Sequence, residues 1–188
     1  MRVPPFSEKK MMLTAMFPAG CAKKNPVGVA MAISAYLCRF DKDKGGVAYI
    51  LHPIRSMMRL RSKDEVQNIL SIMHDCIEDH GDELTFDMLE VMGFHNDVIV
   101  GLKLLTHAPE VPYDDYVKNM AENELVPVAL RIKVINAKIE DLRDNSDIMR
   151  LKGVSDKDFE RVKKYHRNYL YLIEAKARLE ARLYANVH

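Results

Sequence analysis

Toward the end of the chain Phe159, Val162, His166, Tyr169 and Ile173 recur at alternating three- and four-residue steps. An α-helix turns about 100° per residue, so this spacing gathers all five on one side of a helix and does not fit the two-residue repeat of a strand. Similar patterns divide the rest of the chain. Helices are expected over 7–17, 27–39, 50–61, 62–79, 85–92, 96–105, 113–122, 127–143 and 156–184, and strand signals are weak throughout. Ser62 with Glu65 reads as a capping box, Pro53 as a first-turn proline, and Asp41 to Gly46 as a polar turn. The expected fold class is all-α, a bundle of about eight helices.

Composition narrows the function classes. The 188 residues suit one domain spanning 1–188. With 28 Lys and Arg against 27 Asp and Glu, the formal charge is +1, which argues against a nucleic-acid coat protein. The near-balance hides two lopsided stretches. Residues 74 to 90 carry seven acids and no Lys or Arg, while 161 to 182 carry seven Lys or Arg against two Glu. They read as two solvated helix faces, or as a cation site and an anion-binding surface. Cys21, Cys38 and Cys76 cannot all pair and form no CxxC, so a reduced, cytoplasmic setting is expected. The stretch from Lys9 to Cys21 loosely imitates a lipoprotein signal, but its apolar run is short and Pro18 stands three before the cysteine. Val27 to Leu37 falls well below the ~20 apolar residues a membrane span needs. Twelve methionines and the long last helix permit a homo-oligomer.

The strongest chemical signal is His74-Asp75-Cys76-Ile77-Glu78-Asp79. On a continuous helix Glu78, Asp75 and Asp79 would lie about 40°, 100° and 140° from His74, all on one side. A histidine and an adjacent aspartate suit a divalent ion, and two carboxylates one turn on can position or deprotonate a water. An acidic helix end on the surface would look the same, although acids there oppose the helix dipole. Further ligands must come from elsewhere, and His52 and Asp141 are candidates. Lys138, Asp141 and Asn145 share a helix stripe within about 60° of arc. Cation, carboxylate and amide together suit a metal and a phosphorylated ligand, or else a salt-bridged surface.

His52, His74-Asp75 and Asp141 follow the H…HD…D order of the HD-domain metal-dependent phosphohydrolases. Asp43-Lys44-Gly45-Gly46, Tyr49-Ile50-Leu51-His52-Pro53, the His74–Asp79 run, Gly101 to Thr106, Tyr113-Asp114-Asp115-Tyr116 and Asp141 to Asp147 resemble the RelA/SpoT-type hydrolase domain, and most of all its small alarmone hydrolase-like members. The resemblance covers a core of about residues 28–175. It implies one Mn²⁺ held by His52, His74, Asp75 and Asp141, with Glu78 and Asp79 as the catalytic acidic pair. It also implies substrate contacts from Lys44, Asn145 and Tyr165. Arg55 and Lys138 are expected at the substrate too, although Arg55 alternatively pairs with the acidic helix.

The implied activity is a (p)ppGpp 3′-pyrophosphohydrolase releasing pyrophosphate. The departures from the pattern spare the four metal positions and fall on the nucleotide side. Asp43 precedes Lys44 where the group often has Arg, and Cys38-Arg39-Phe40-Asp41 stands where His-x-Gly-Gln is frequent. The segment from Leu125 to Ala137 looks a few residues longer than usual. Two alternatives therefore stand beside the main expectation. One is a phosphatase for NADPH, a deoxynucleotide or an adenine alarmone, and the other is a catalytically silent nucleotide-binding protein. No nucleic-acid or membrane partner is expected.

Overall fold

The computed structural model describes residues 6–185, with side chains from residue 8 onward. The ends of the expected 1–188 unit, residues 1–5 and 186–188, lie outside the described residues. Ten α-helices follow in order: α1 (Phe6–Met16), α2 (Pro26–Leu37), α3 (Leu51–Leu60), α4 (Glu65–Met73), α5 (Cys76–His80), α6 (Phe86–Met92), α7 (Asn96–Leu105), α8 (Tyr113–Glu122), α9 (Val128–Asn145) and α10 (Asp156–Ala185). The described residues contain no strand, only one isolated bridge between Lys42 and Ala48. None of the helices among them is long and apolar enough to cross a membrane.

Local chemistry explains most boundaries. Asn25 caps α2 by accepting from the Gly28 amide at 2.9 Å, and Pro26 fills the first helical position, where its missing N–H costs nothing. Thr85 caps α6, which ends at Gly93 in the left-handed region (φ 87°). The capping box expected at Ser62 is displaced. Asp64 is the cap, accepting from the Gln67 amide at 2.9 Å, while the Ser62 hydroxyl accepts from the Asp64 amide at 3.0 Å.

The expected continuous helix over 62–79 is broken at His74-Asp75 into α4 and α5. Two side chains take carbonyls that a continuous helix would need. His74 Nδ1 is 2.8 Å from the Ser71 carbonyl, and the Ser34 hydroxyl donates to the Ile72 carbonyl at 2.9 Å. In an uninterrupted helix those carbonyls would accept from residues 75 and 76.

α9 is the axis of the fold, packing against α3, α4, α7, α8 and α10. It is buried on nearly every side, which is why its sequence is not clearly amphipathic. One contiguous apolar cluster extends from Leu13 to Leu179, taking in Leu70, Leu102 and Ile135. It therefore reaches beyond the expected 28–175 core at both ends, and Leu13 and Phe17 of the signal-like stretch belong to it. The stripe Phe159–Ile173 is not the buried face of α10. Phe159 and Ile173 are exposed, and the face against the bundle is Asn168, Leu172, Ala175 and Leu179. The first turns of α10 overhang a cleft instead of sealing the core, so apolar groups there line a cavity wall.

Candidate metal centre and cleft

Three separate parts of the bundle deliver His52, His74 and Asp141 to a single point, with Asp75 beside them. His52 comes from the first turn of α3, His74 and Asp75 from the break between α4 and α5, and Asp141 from the buried axis α9. His52 Nε2 lies 3.2 Å from His74 Nε2, 3.2 Å from Asp141 Oδ1 and 3.8 Å from Asp75 Oδ2. His74 Nε2 lies 3.0 Å from Asp75 Oδ2 and 3.4 Å from Asp141 Oδ1. The helix break matters here. Adjacent residues on an intact helix diverge by about 100°, yet His74 and Asp75 converge.

The donor chemistry of these atoms fits a metal ion. His74 Nδ1–H donates to the Ser71 carbonyl, and His52 Nδ1–H donates to Asp144 Oδ2 at 2.7 Å. Each ring thus turns an Nε2 lone pair inward, the tautomer that metal-ligating histidines adopt. Two nitrogen lone pairs then face carboxylate oxygens of Asp75 and Asp141, an arrangement that a cation stabilises. His52, His74 and Asp141 are all buried, and one ligand atom from each lies within 4.8 Å of the others. Separations near 3 Å are what ~2.1 Å bonds to a common ion produce at adjacent coordination positions.

The electrostatics agree. Burial is the largest influence on Asp141 and pushes its carboxyl up, but Lys138 and His74 outweigh it and hold the group well below the usual range. Burial likewise opposes a charge on His74, and Asp75 and Asp141 overcome it, raising the imidazole. A raised imidazole binds a proton more readily, so a metal must compete with protons for these nitrogens.

A cleft of about 350 Å³ opens over the centre, lined among others by Lys44, Tyr49, His52, Asp75, Glu78, Asp79, Asn145, Arg161 and Tyr165. Its floor is acidic and one rim is basic. Burial, then Asp75 and Glu78, push the Asp79 carboxyl up to about 6. Glu78 is anchored, since Oε2 accepts from the His107 amide at 2.9 Å. On the rim, burial and the nearby Arg161 lower the Lys44 ammonium. The loop carrying Lys44 is held close by its glycines. A side chain at Gly45 would sit 2.5 Å from the Arg150 carbonyl, and Gly46 adopts φ 84°. Asn145 donates to Asp141 Oδ1, and the Tyr165 ring lies 6.1 Å from that of Tyr113.

Two residues expected at the substrate stand elsewhere. Arg55 pairs with Asp144, through Nε to Oδ1 at 2.8 Å and a second nitrogen to Oδ2 at 2.9 Å. It thus meets neither the cleft nor the acidic 74–90 stretch. Lys138 is buried, with Nζ 2.8 Å from Asp141 Oδ2 and 5.2 Å from the Tyr116 ring centroid. Both sit behind the centre because their partners on α9 do. Of the neighbours of the missing Arg, Lys42 lines the cleft, whereas Arg39 stacks on Tyr36 and donates to its carbonyl.

Three further residues were not singled out from the sequence. Tyr49 donates to Asp75 Oδ2, Arg161 lines the rim, and Asp144 receives His52, Arg55 and Arg59 on one carboxylate. The first stands one helical turn before His52 and the last one turn after Asp141, a position that partners of ligands often occupy.

Neither the family models nor the curated proteins give a match to this sequence. Among solved structures, one described as a metazoan ortholog of SpoT that hydrolyses ppGpp and plays a role in starvation responses superposes with a TM-score of 0.60. The match covers 84% of this chain and 93% of that one, at 16% identity. The two chains therefore share an all-α fold. Within this fold the buried His52, His74 and Asp141 form a cluster suited to a metal ion.

Proposed function

We propose that this protein is a divalent-metal-dependent nucleotide phosphohydrolase, with Mn²⁺ held by His52, His74, Asp75 and Asp141. The favoured reaction is hydrolysis of the 3′-pyrophosphate of (p)ppGpp. Water adds to phosphorus, the bond to the ribose 3′-oxygen breaks, and pyrophosphate leaves with GDP or GTP. The observation that carries the reading is the convergence of His52, His74 and Asp141, with Asp75 beside them, at a cleft that Glu78 and Asp79 line together with Lys44 and Arg161.

When bound, the ion supplies Lewis acidity, acidifying a water and drawing charge from a phosphoryl oxygen. The chain supplies the rest. Asp79, with its carboxyl raised to about 6, accepts the proton of the attacking water near neutral pH. Glu78, fixed by the His107 amide, orients that water. Lys44 and Arg161 offset phosphate charge as it shifts toward the leaving group. Asn145 and Tyr165 border the space available to ribose and base. Arg55 and Lys138 act from behind, Arg55 by holding Asp144 against His52 and Lys138 by holding Asp141.

A second substrate class has one observation in its favour. Arg39 is turned onto Tyr36 and does not line the cleft, so of the two cations near the position where the resembled group often has Arg only Lys42 reaches it. The deciding experiment loads purified protein with Mn²⁺ and supplies ppGpp, pppGpp, ppApp, NADPH and dNTPs, with Asp75→Ala alongside. Pyrophosphate released from ppGpp by the wild type alone supports the proposal. Turnover only of another nucleotide moves the substrate and keeps the centre. Stoichiometric metal with no turnover of anything makes the protein a nucleotide binder.

A further inference from the structure

A second cluster of ligand type lies on the opposite side of Tyr49 and Asp79 from the first. Cys38 and Asp41 stand three apart in the tight turn that ends α2, where the Asp41 amide bonds back to the Cys38 carbonyl at 3.1 Å. Across from them is His80, the last residue of α5. One ligand atom from each of Cys38, Asp41 and His80 lies within 4.8 Å of the others. The turn does what zinc-binding knuckles do, presenting two ligands with two residues between them to a third from a separate element.

Within this cluster His80 Nε2 is buried and has no hydrogen-bond partner. Asp41 Oδ2 is only 3.0 Å away, so the fault is direction and not distance. A buried ring nitrogen without a partner is destabilising, and an ion seated between the three groups would satisfy it. The cluster also has an entrance. Asp41 and His80 line a recess of about 300 Å³ with Lys42, Tyr49 and Asp79, leaving room for a water as fourth ligand. Lys42 is the one cation lining that recess, against the carboxylates of Asp41 and Asp79.

We propose that Cys38, Asp41 and His80 form a second divalent-metal site of the zinc class, separate from the His52–Asp141 centre. A thiolate, an imidazole and a carboxylate favour Zn²⁺ or Co²⁺ over the oxygen-preferring Mn²⁺, so the two sites select different ions. Binding releases the Cys38 proton, which burial otherwise holds firmly on sulfur, with the thiol pushed up to about 12. The ion ties the end of α2 to the end of α5. Tyr49 and Asp79 border both cavities, so the tie fixes the wall they share.

The test uses Co²⁺ as the probe on chelator-stripped full-length protein, read by the sulfur-to-cobalt charge-transfer band and by metal content. The expected result is a band of one cobalt equivalent that persists in Asp141→Ala and in Cys76→Ser, because Cys76 faces Ser34 in the core. Cys38→Ser abolishes the band, and His80→Ala weakens Co²⁺ binding at least tenfold. Since Cys38 is buried and its variant is at risk of misfolding, Asp41→Asn at a more open position serves as the second variant, with tenfold weaker binding expected. Absence of the band in the wild type overturns the proposal. So does a band that survives Cys38→Ser, or one that disappears in Asp141→Ala.

Discussion

His52 Nδ1 and Asp144 Oδ2 lie 2.7 Å apart, and through that bond a carboxylate with no exposed surface sets the direction of a metal-facing imidazole. Arg55 grips the same carboxylate with two nitrogens and Arg59 with one at 2.7 Å. His52 and these arginines pull the Asp144 carboxyl far below its usual range, against the opposing effect of burial. Asp144→Asn is expected to weaken metal affinity about 10–100-fold while leaving all four ligands in place. Asp144→Ala should also cost about 2–3 kcal/mol of stability, less than a fully buried pair because the arginines are partly exposed. Metal titration and urea unfolding of both variants separate the two effects. Unchanged metal affinity in Asp144→Asn would remove the positioning role.

Asp79 sets an acid limit on turnover. Burial, Asp75 and Glu78 push its pKa up to about 6 in the metal-free fold, and a bound cation lowers it, so the base form is lost as pH falls below 6. kcat/KM should then drop about tenfold per pH unit below that point. Asp79→Asn should lower kcat by about 10²–10⁴-fold and abolish that limb, whereas Glu78→Gln keeps it at a reduced rate.

The same shift predicts a stability signature in the metal-free protein. A carboxyl whose pKa rises on folding destabilises the fold once it is ionised, so the cost is absent below about pH 4 and complete above about pH 6. Asp79→Asn should therefore raise Tm at pH 7.5 and leave it unchanged at pH 3.5. An equal rise at both pH values would mean that charge is not the cause.

Chelation should lower Tm, and Mn²⁺ should restore it. The acceptors of His52, His74, Asp75 and Asp141 face one another, and an ion bound only by the folded state adds about 2.7 kcal/mol at a hundred times its Kd. The gain should shrink in acid as protons compete for the two imidazoles, both raised by their carboxylates against the effect of burial. Asp141→Ala should abolish the Mn²⁺ effect in a thermal-shift assay.

Lys44 and Arg161 are expected to act on phosphate. Removing either to Ala should raise KM about 10–100-fold, as for loss of a charge-assisted hydrogen bond worth about 1.5–3 kcal/mol, with a weaker salt dependence. Loss of kcat alone would place them away from the ground-state substrate.

What could be read from the sequence follows from periodicity and local chemistry. The spacing of apolar groups marks helices because a helix repeats every 3.6 residues whatever it packs against. His74-Asp75 is conspicuous because it opens an acidic run, although the break at Asp75 places Glu78 and Asp79 in the first turn of α5, where the dipole favours them. The tertiary structure decided everything that depends on distant partners. Only the fold brings Ser34 to the Ile72 carbonyl, helping to break the helix so that His74 and Asp75 converge. Only the fold sends Arg55 to a carboxylate on α9, 89 residues away, and buries the local Lys138–Asp141 pair behind the centre. A side chain's type fixes what it can bond, but which partner is within about 3 Å is set by helix packing, and no local pattern encodes that distance.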